Sequence, residues 1–194
     1  MNEDYELEEL EESQEPEKLD IKGEIFSWIK VLFFSVLIAW VIGNFVLMIA
    51  YIPSGSMENT LQIDDKVIGL RFAYKFQKPE RKDIIMFKYP DDENKDFIKR
   101  IIGKPGETVN IVDGKVFINN SKKPLDEPYL KETPTGNFGP YVVPDGCYFV
   151  LGDNRNNSLD SRFWKHKFVK KEKILAKAVV RFWPITDFKI LNKE

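Results

Sequence analysis

The stretch VLFFSVLIAWVIGNFVLMIAYIPSGSM, residues 31–57, divides the chain into two parts of different character. The 21 residues from Val31 to Tyr51 carry no charge. A helix of that length measures about 30 Å, which is enough to cross the hydrocarbon core of a bilayer. Turn-forming proline, serine and glycine follow at positions 53–55. The sequence therefore predicts one uncleaved transmembrane anchor over residues 25–51, followed by a separate body over residues 52–194.

The flanks of the apolar run agree with a membrane anchor. Lys30 can extend to the interface, and Trp28 and Tyr51 lie where aromatic side chains collect at the edges of a bilayer. Residues 1–24 hold eleven acidic residues and two lysines, which is the wrong flank for a cleaved signal peptide. Such a charge run predicts a solvated, disordered tail. Positive residues are nearly balanced across the run, so they do not set its orientation.

Composition argues against several classes of site. The chain of 194 residues has a net charge of −2, one cysteine (Cys147) and one histidine (His166). An intrachain disulfide cannot form, and a zinc site lacks Cys and His ligands. A Ser-His-Asp triad would have to use His166, which lies in a lysine-rich segment. We expect no metal and no cofactor, and the lack of a basic stripe with interleaved aromatic residues argues against nucleic acid as a partner.

Short segments rich in Val, Ile, Phe and Tyr follow residue 57 and predict a mainly β body. The predicted strands are 66–72, 83–89, 97–103, 108–112, 115–119, 147–152 and 174–183. Asp113-Gly114 predicts a tight hairpin, KPGE at 104–107 predicts another turn, and the start of the segment from Lys170 could form one helical turn. Residues 120–146, rich in proline and glycine, predict a long irregular connection, which suggests a functional or mobile role.

Ser56, in the turn after the apolar run, is a candidate nucleophile. A serine hydroxyl attacks efficiently only when a base removes its proton. With histidine effectively absent, the base must be a lysine, an aspartate, a glutamate or a metal-bound group. A lysine serves only when it is neutral, which requires desolvation or a nearby positive charge. A candidate lysine base should therefore be embedded in apolar sequence.

Lys99, in DFIKRIIG, fits that description. On a strand, Phe97, Lys99 and Ile101 share one face, and Arg100 points to the other. A lysine that discourages edge-to-edge aggregation is the alternative interpretation. Three other lysines have partly similar surroundings, so periodicity alone does not single out Lys99: Lys66, Lys88 and Lys177.

A dense polar loop follows the predicted strand at 147–152. Asn and Asp favour turns, so a surface loop is the simplest interpretation. The segment nevertheless holds more polar side chains than a turn requires, and these could fix a site by hydrogen bonds: Asp153, Asn154, Arg155, Ser158, Asp160, Ser161 and Arg162.

Three segments, in this order behind a membrane span, resemble the sequence boxes of bacterial type I signal peptidases, also called leader peptidases. They are PSGSM at 53–57, IKRIIGKPGE at 98–107 and GDNRNNSLDSRFW at 152–164. The resemblance extends from the anchor to about residue 183. It implies an all-β catalytic domain with a Ser-Lys dyad behind one N-terminal transmembrane helix. A lysine at position 99 favours the bacterial branch of the family over the endoplasmic-reticulum branch, which carries histidine there. The compact body and single anchor fit the shorter form found in many Gram-positive bacteria.

By motif position, the resemblance implies that Ser56 is the nucleophile and Lys99 the general base. Ser54 would build the oxyanion hole with the backbone N–H of Ser56, and Ser158 would orient the lysine amine. The resemblance implies supporting roles for Asp153, Asp160, Arg162 and Arg100. It implies shallow pockets for small substrate side chains, lined by Ile52, Met57, Leu61, Phe97 and Ile98.

The implied substrates are secretory preproteins, cut after a small-x-small site such as Ala-x-Ala. The other implied partners are the lipid bilayer and, transiently, the protein-export machinery. The expected location is the plasma membrane, crossed once, with the N-terminus in the cytoplasm and the catalytic domain outside.

Three positions depart from the common family pattern: Asn59 stands in place of Pro, Asn156 in place of Asp and Lys165 in place of Gly. None of them removes a reacting group, although they leave the loop shape and substrate preference open. Two alternatives also stay open. One is a catalytically inactive single-span β-domain scaffold, and the other is a Ser-Lys protease of the self-cleaving repressor type.

Overall fold

The computed structural model describes residues 21–191. It divides into a helical unit that ends at Val41 and a β-rich unit that begins at Ile42. In the helical unit, α1 spans Ile21–Val41 and buries none of its residues. One π-helical turn, Ile42–Val46, follows. Residues 21–46 are long and apolar enough to cross a membrane. The predicted acidic tail lies, up to residue 20, outside the described residues.

The helix is shorter than the sequence predicts, because the last five residues of the apolar run form a strand. Strand β1, Leu47–Tyr51, pairs antiparallel with β2, Lys66–Leu70, from Leu47 opposite Leu70 to Tyr51 opposite Lys66. The backbone groups of residues 47–51 thus find their partners in a sheet. Hydropathy alone cannot separate this strand from the helix that precedes it.

The remaining strands are β3 (Ile84–Tyr89), β4 (Asp92–Gly103), β5 (Thr108–Val112), β6 (Lys115–Ile118), β7 (Phe138–Val142), β8 (Cys147–Leu151), β9 (Val169–Lys170), β10 (Ile174–Trp183) and β11 (Lys189–Ile190). One short helix, α2, spans Ala73–Phe76. Four single 3-10 turns are Gly55–Met57, Arg155–Asn157, Lys171–Lys173 and Ile185–Asp187. All seven predicted strands are present, and so is the helical turn predicted after Lys170.

The strands form two antiparallel sheets. The larger has the order β1-β2-β10-β3-β4-β8-β9, with β11 paired to β10, and the smaller has the order β6-β5-β7. The predicted hairpin between β5 and β6 is confirmed, with positive φ angles of 48° at Asp113 and 76° at Gly114. A main-chain bond from Glu107 N–H to Lys104 C=O closes the predicted KPGE turn. The mainly β class of the body is therefore confirmed.

The long connection at 120–146 is not irregular throughout. Its later part contains β7, which pairs with β5, and Leu125 donates a main-chain hydrogen bond to Val116. Proline and glycine within and around β7 conceal this strand from a pattern-based prediction. The segment between Leu125 and β7 runs without regular secondary structure.

Strand β4 sets the position of the candidate site. It lies between β3 and β8, with Lys99 opposite Ile85 on β3 and Arg100 opposite Leu151 on β8. Successive residues of a strand point to opposite faces. The two cations therefore enter different environments, one on each face of the sheet.

Candidate active site

Ser56 lies in the one-turn helix Gly55–Met57, after Ser54, whose backbone is extended with φ −140° and ψ 152°. The polar loop after β8 holds this turn in place. Asn154 donates its backbone N–H to the Ser56 carbonyl over 3.1 Å and its side-chain amide to the Gly55 carbonyl over 2.9 Å. Ser56 is buried, whereas Ser54 is exposed.

Lys99 brings its amine to the serine hydroxyl. Its Nζ donates to Ser56 Oγ over 2.7 Å and to the Ile98 carbonyl over 3.1 Å. The Phe97 ring centroid lies 5.4 Å from the same nitrogen. Residues 43 positions apart are thus in hydrogen-bond contact. The sequence-based pairing of Ser56 with Lys99 corresponds to a real contact in this fold.

Burial lowers the pKa of Lys99 from 10.5 to about 8. The side chain is only 4 % exposed, so the charged ammonium loses most of its hydration. The negative charges of Asp160 and Asp153 oppose this shift only in part. Within residues 21–191, no carboxylate lies within ion-pair distance of Lys99 Nζ. The site therefore holds a lysine that can lose its proton near neutral pH.

The other lysines considered from the sequence have different partners. Lys88 pairs with Asp96 over 2.8 Å, and Lys177 pairs with Asp83 over 2.8 Å. Lys66 lies 5.5 Å from the centroid of the Trp183 ring. His166 is exposed and contacts Asp91. Of these side chains, none contacts Ser56 in the described part of the chain.

Arg100 and Asp153 form a buried bidentate pair beside the site. Arg100 donates to the two Asp153 carboxylate oxygens over 2.8 and 2.7 Å, and its side chain is 1 % exposed. Thr60 donates its hydroxyl to the same carboxylate. The guanidinium carbon lies 3.8 Å from the centroid of the Tyr129 ring. This pair joins β4 to the start of the polar loop.

Asp160 and Arg162 form a second buried pair, within the polar loop. Arg162 donates to Asp160 over 2.8 and 2.9 Å, and also to the Arg155 carbonyl over 2.6 Å. Asp160 accepts the Gly152 N–H over 3.1 Å as well. The predicted pairing of Asp160 with Arg162 is confirmed, and it links the far end of the loop to Gly152.

Gly152 is required by a close approach that the sequence does not reveal. A Cβ at this position would lie 2.2 Å from Ser158 Oγ and 2.4 Å from the Ser56 carbonyl oxygen. Ser158 Oγ is buried and has no hydrogen-bond partner among residues 21–191. The predicted contact of Ser158 with the lysine amine is therefore not formed in this structure, and Ser158 Oγ lies against Gly152 instead.

A cavity of about 450 Å³ opens beside the nucleophile. Ser54, Ser56 and Lys99 lie along it, together with three of the five predicted pocket residues: Ile52, Phe97 and Ile98. The other two, Met57 and Leu61, do not line the cavity. They are fully buried in the core, where they pack with Ile52 and Val67.

Sequence reasoning missed one wall of this cavity. Residues 48–51 of β1 line it, and so do Asn157 and Leu159 from the polar loop. The β1 residues were missed because the apolar run assigned them to the membrane helix. The uncharged run of 21 residues matches one bilayer span, so its length gave no signal that its last five residues form a strand.

The three departures from the family pattern all form hydrogen bonds. Asn59 has a φ of 83°, which a proline ring cannot adopt, and its amide donates to the Tyr129 carbonyl over 3.0 Å. Asn156 accepts the Thr135 N–H over 3.1 Å and donates to the Thr133 carbonyl over 3.1 Å. The Lys165 N–H donates to Asp91 over 2.8 Å.

Comparison with known proteins adds independent information. The family model described as signal peptidase, peptidase S26, matches residues 25–183. A probable signal peptidase I-2 of Synechocystis sp. is 45% identical over 171 residues, which cover 85% of this chain and 76% of the relative. A signal peptidase I of Leptolyngbya laminosa is 45% identical over 165 residues, which cover 81% and 79% of the two chains. A solved signal peptidase I from Enterococcus faecalis is 38% identical, covers 52% of this chain and 97% of its own, and gives a TM-score of 0.45.

Proposed function

Because the chain belongs to the signal peptidase family, peptidase S26, we propose that it removes signal peptides from secreted preproteins with a Ser56–Lys99 dyad. Family membership makes the chain a serine endopeptidase. The observation that carries the proposed dyad is the 2.7 Å contact between a buried lysine amine and the serine hydroxyl. The low pKa of that lysine, about 8, supports a role as general base.

In the proposed reaction, neutral Lys99 accepts the Ser56 hydroxyl proton as Oγ attacks the carbonyl carbon of the scissile bond. The resulting oxyanion would be held by the Ser54 hydroxyl and the Ser56 backbone N–H. Such donors are worth about 3–4 kcal/mol when they are aimed at the developing charge. The lysine then returns the proton to the leaving amine, and water hydrolyses the acyl-enzyme with the same lysine as base.

The cavity suggests the class of substrate side chain. Its walls beside Ser56 are mainly apolar, from Ile52, Phe97, Ile98 and β1. We expect it to accept small apolar side chains on the acyl side of the cut, such as those of Ala-x-Ala. Met57 and Leu61 would then act from beneath the site, as core residues that fix the nucleophile turn.

We propose that residues 21–46 anchor the chain in the plasma membrane. Ser56 follows Val46 by ten residues, which is at most about 36 Å of extended chain. Tethering two proteins to one bilayer raises their effective concentration. The signal peptide of a preprotein crosses the same membrane, so the catalytic unit must face outward and the N-terminus the cytoplasm. Contact with the export machinery would be transient.

The experiment that tests this function uses the full chain in detergent micelles with a preprotein that carries an Ala-x-Ala site. The new N-terminus of the product would be mapped for the unaltered protein and for Ser56→Ala and Lys99→Ala. We expect one cut after the second small residue, lost in both variants while their melting temperatures show a folded body. A folded unaltered protein that cuts none of several preproteins would contradict the proposal.

A further inference from the structure

The long connection at 120–146 contacts the catalytic segments at several points that the proposed mechanism does not use. Two lie near the nucleophile turn, where Asn59 donates to the Tyr129 carbonyl and Lys131 pairs with Glu58. Others lie at the polar loop, where Asn156 binds the main chain of residues 133–135. The connection therefore binds both the nucleophile turn and the polar loop that holds it.

The most deeply buried of these contacts is an ion pair between Glu127 and Arg155. The two side chains are 5% and 2% exposed. Arg155 donates both terminal nitrogens to the Glu127 carboxylate, Nη1 over 3.2 Å to Oε2 and Nη2 to Oε1. The Tyr129 hydroxyl donates to Glu127 over 2.8 Å. A bidentate pair of this kind fixes the plane and direction of the guanidinium group.

Arg155 also binds the Gly152 peptide, which packs against Ser56. Its Nε donates to the Gly152 carbonyl over 3.0 Å, and its own carbonyl accepts a hydrogen bond from Arg162. Gly152 has no space for a Cβ because Ser56 and Ser158 lie against it. A small rotation of the Gly152 peptide would therefore press on the Ser56 main chain or release it.

We propose that Glu127 is a positioning residue, which acts through Arg155 and the Gly152 peptide to hold Ser56 in line with Lys99. Glu127 lies outside the nucleophile turn, β4 and the polar loop, so it acts on the reaction through its partners, of which Arg155 binds the Gly152 peptide. The proposal rests on the proposed cleavage of signal peptides.

Loss of the Glu127 charge would leave Arg155 buried without this carboxylate. A buried guanidinium that loses its partner turns toward other acceptors or toward water. The Gly152 carbonyl would then lose the hydrogen bond that Arg155 donates to it. Because Glu127 does not line the cavity beside Ser56, this change should weaken the chemical step and leave substrate binding intact.

The test is steady-state cleavage of an Ala-x-Ala preprotein by the full chain in detergent, with Glu127→Gln and the matched control Asp126→Asn. Asp126 is the neighbouring acidic residue and is exposed. We expect Glu127→Gln to lower kcat about 10- to 100-fold, as misplacement of reacting groups does. KM should stay within about twofold, because substrate contacts are unchanged. Asp126→Asn should match the unaltered protein in both constants.

A second variant separates positioning from folding. Glu127→Asp keeps the charge on a side chain shorter by one methylene, so it should recover part of the kcat that Glu127→Gln loses. Melting curves recorded under assay conditions give the folded fraction of each variant. The proposal is wrong if kcat per folded molecule is unchanged in Glu127→Gln, or if KM rises while kcat does not fall. Failure of the unaltered chain to cut would instead overturn the proposed function itself.

Discussion

Lys99 and Arg100 are consecutive cations on opposite faces of β4, and both are buried, at 4% and 1% exposure. Arg100 is clamped by both oxygens of Asp153. Lys99 contacts a neutral hydroxyl and a carbonyl. The strand thus places one cation with an anionic partner and one without such a partner in the described part of the chain.

The difference shows what decides the role of a buried cation. Desolvation disfavours the charged form of either side chain, and a paired carboxylate offsets that cost. Arg100 keeps its proton because it is a guanidinium, and its pair with Asp153 ties β4 to the polar loop. Lys99 lacks the offset, so its pKa falls to about 8 and its amine can accept a proton. An arginine cannot act as a base in either setting, whereas a buried lysine without a paired carboxylate can.

The largest expected effect comes from Lys99→Arg, which places a guanidinium group on both faces of β4. A guanidinium group keeps its proton at any working pH, so it cannot serve as a base. We expect kcat to fall on the order of 10⁴-fold or more, as when other serine proteases lose a member of the catalytic set. Cleavage of an Ala-x-Ala preprotein measures it.

The matched control for that variant is Lys88→Arg, on the neighbouring strand β3. Lys88 is partly exposed and pairs with Asp96, so either cation can occupy its place. We expect its kcat to stay close to that of the unaltered protein. Substantial turnover by a folded Lys99→Arg variant would show that the proton is accepted by some other group.

On the Arg100 face, Asp153→Asn should affect stability most. Arg100 would stay charged and buried, yet lose its carboxylate partner. Removing one member of a buried pair costs about 3–5 kcal/mol in the free energy of unfolding. Denaturant melts of the full chain in detergent measure this cost. Asp96→Asn, which breaks a partly exposed pair, should cost less than about 1 kcal/mol, and equal losses in the two variants would contradict the comparison.

The third prediction is that Lys99→Met raises stability although it abolishes cleavage. The folded pKa of about 8 lies below the ordinary value of 10.5, so below pH 8 the fold must keep a buried charge. A shift of this size corresponds to about 3 kcal/mol. Lys99→Met removes that penalty at pH 7.

The stability that Lys99→Met gains over the unaltered protein should depend on pH, and this dependence tests its cause. Between pH 8 and 10.5 the unfolded chain holds a proton that the folded chain has lost, so the stability of the unaltered protein rises with pH relative to that of the variant. The gap in melting temperature should therefore narrow from pH 7 to pH 10. A gap of constant size would show that the charge of Lys99 carries no such penalty.

Sequence patterns predicted most of the structural features on which this comparison depends. Alternation along β4 was enough to place Lys99 and Arg100 on opposite faces, and β-branched runs between turns located seven strands. Short-range chemistry also predicted the Asp160–Arg162 pair. In each of these cases the structure depends on residues close together in the chain.

Long-range contacts account for what the sequence did not reveal. Nothing in the motif containing Gly152 indicates that Ser56 lies against it. Glu127 binds Arg155 and Tyr129 contacts Arg100 from a connection whose sequence has no regular pattern. The burial of Met57 and Leu61 depends on how the nucleophile turn docks. Strand β1 was missed because its five residues continue an apolar run. Such features are set by tertiary packing, which local periodicity does not encode.

The smallest expected effect is a change in cleavage rate with pH, which tests the Lys99 face of β4 directly. Below pH 8 the active fraction is the one with neutral Lys99, so kcat/KM should rise about tenfold per pH unit and level off above pH 8. Burial is the main cause of the low pKa, and a carboxylate beside the amine would raise it. Phe97→Asp replaces an apolar neighbour of Lys99 with a carboxylate, so it should move the midpoint of the kcat/KM profile to higher pH. A maximum below pH 6 in the unaltered protein would be incompatible with a lysine base, because almost every Lys99 would then hold its proton.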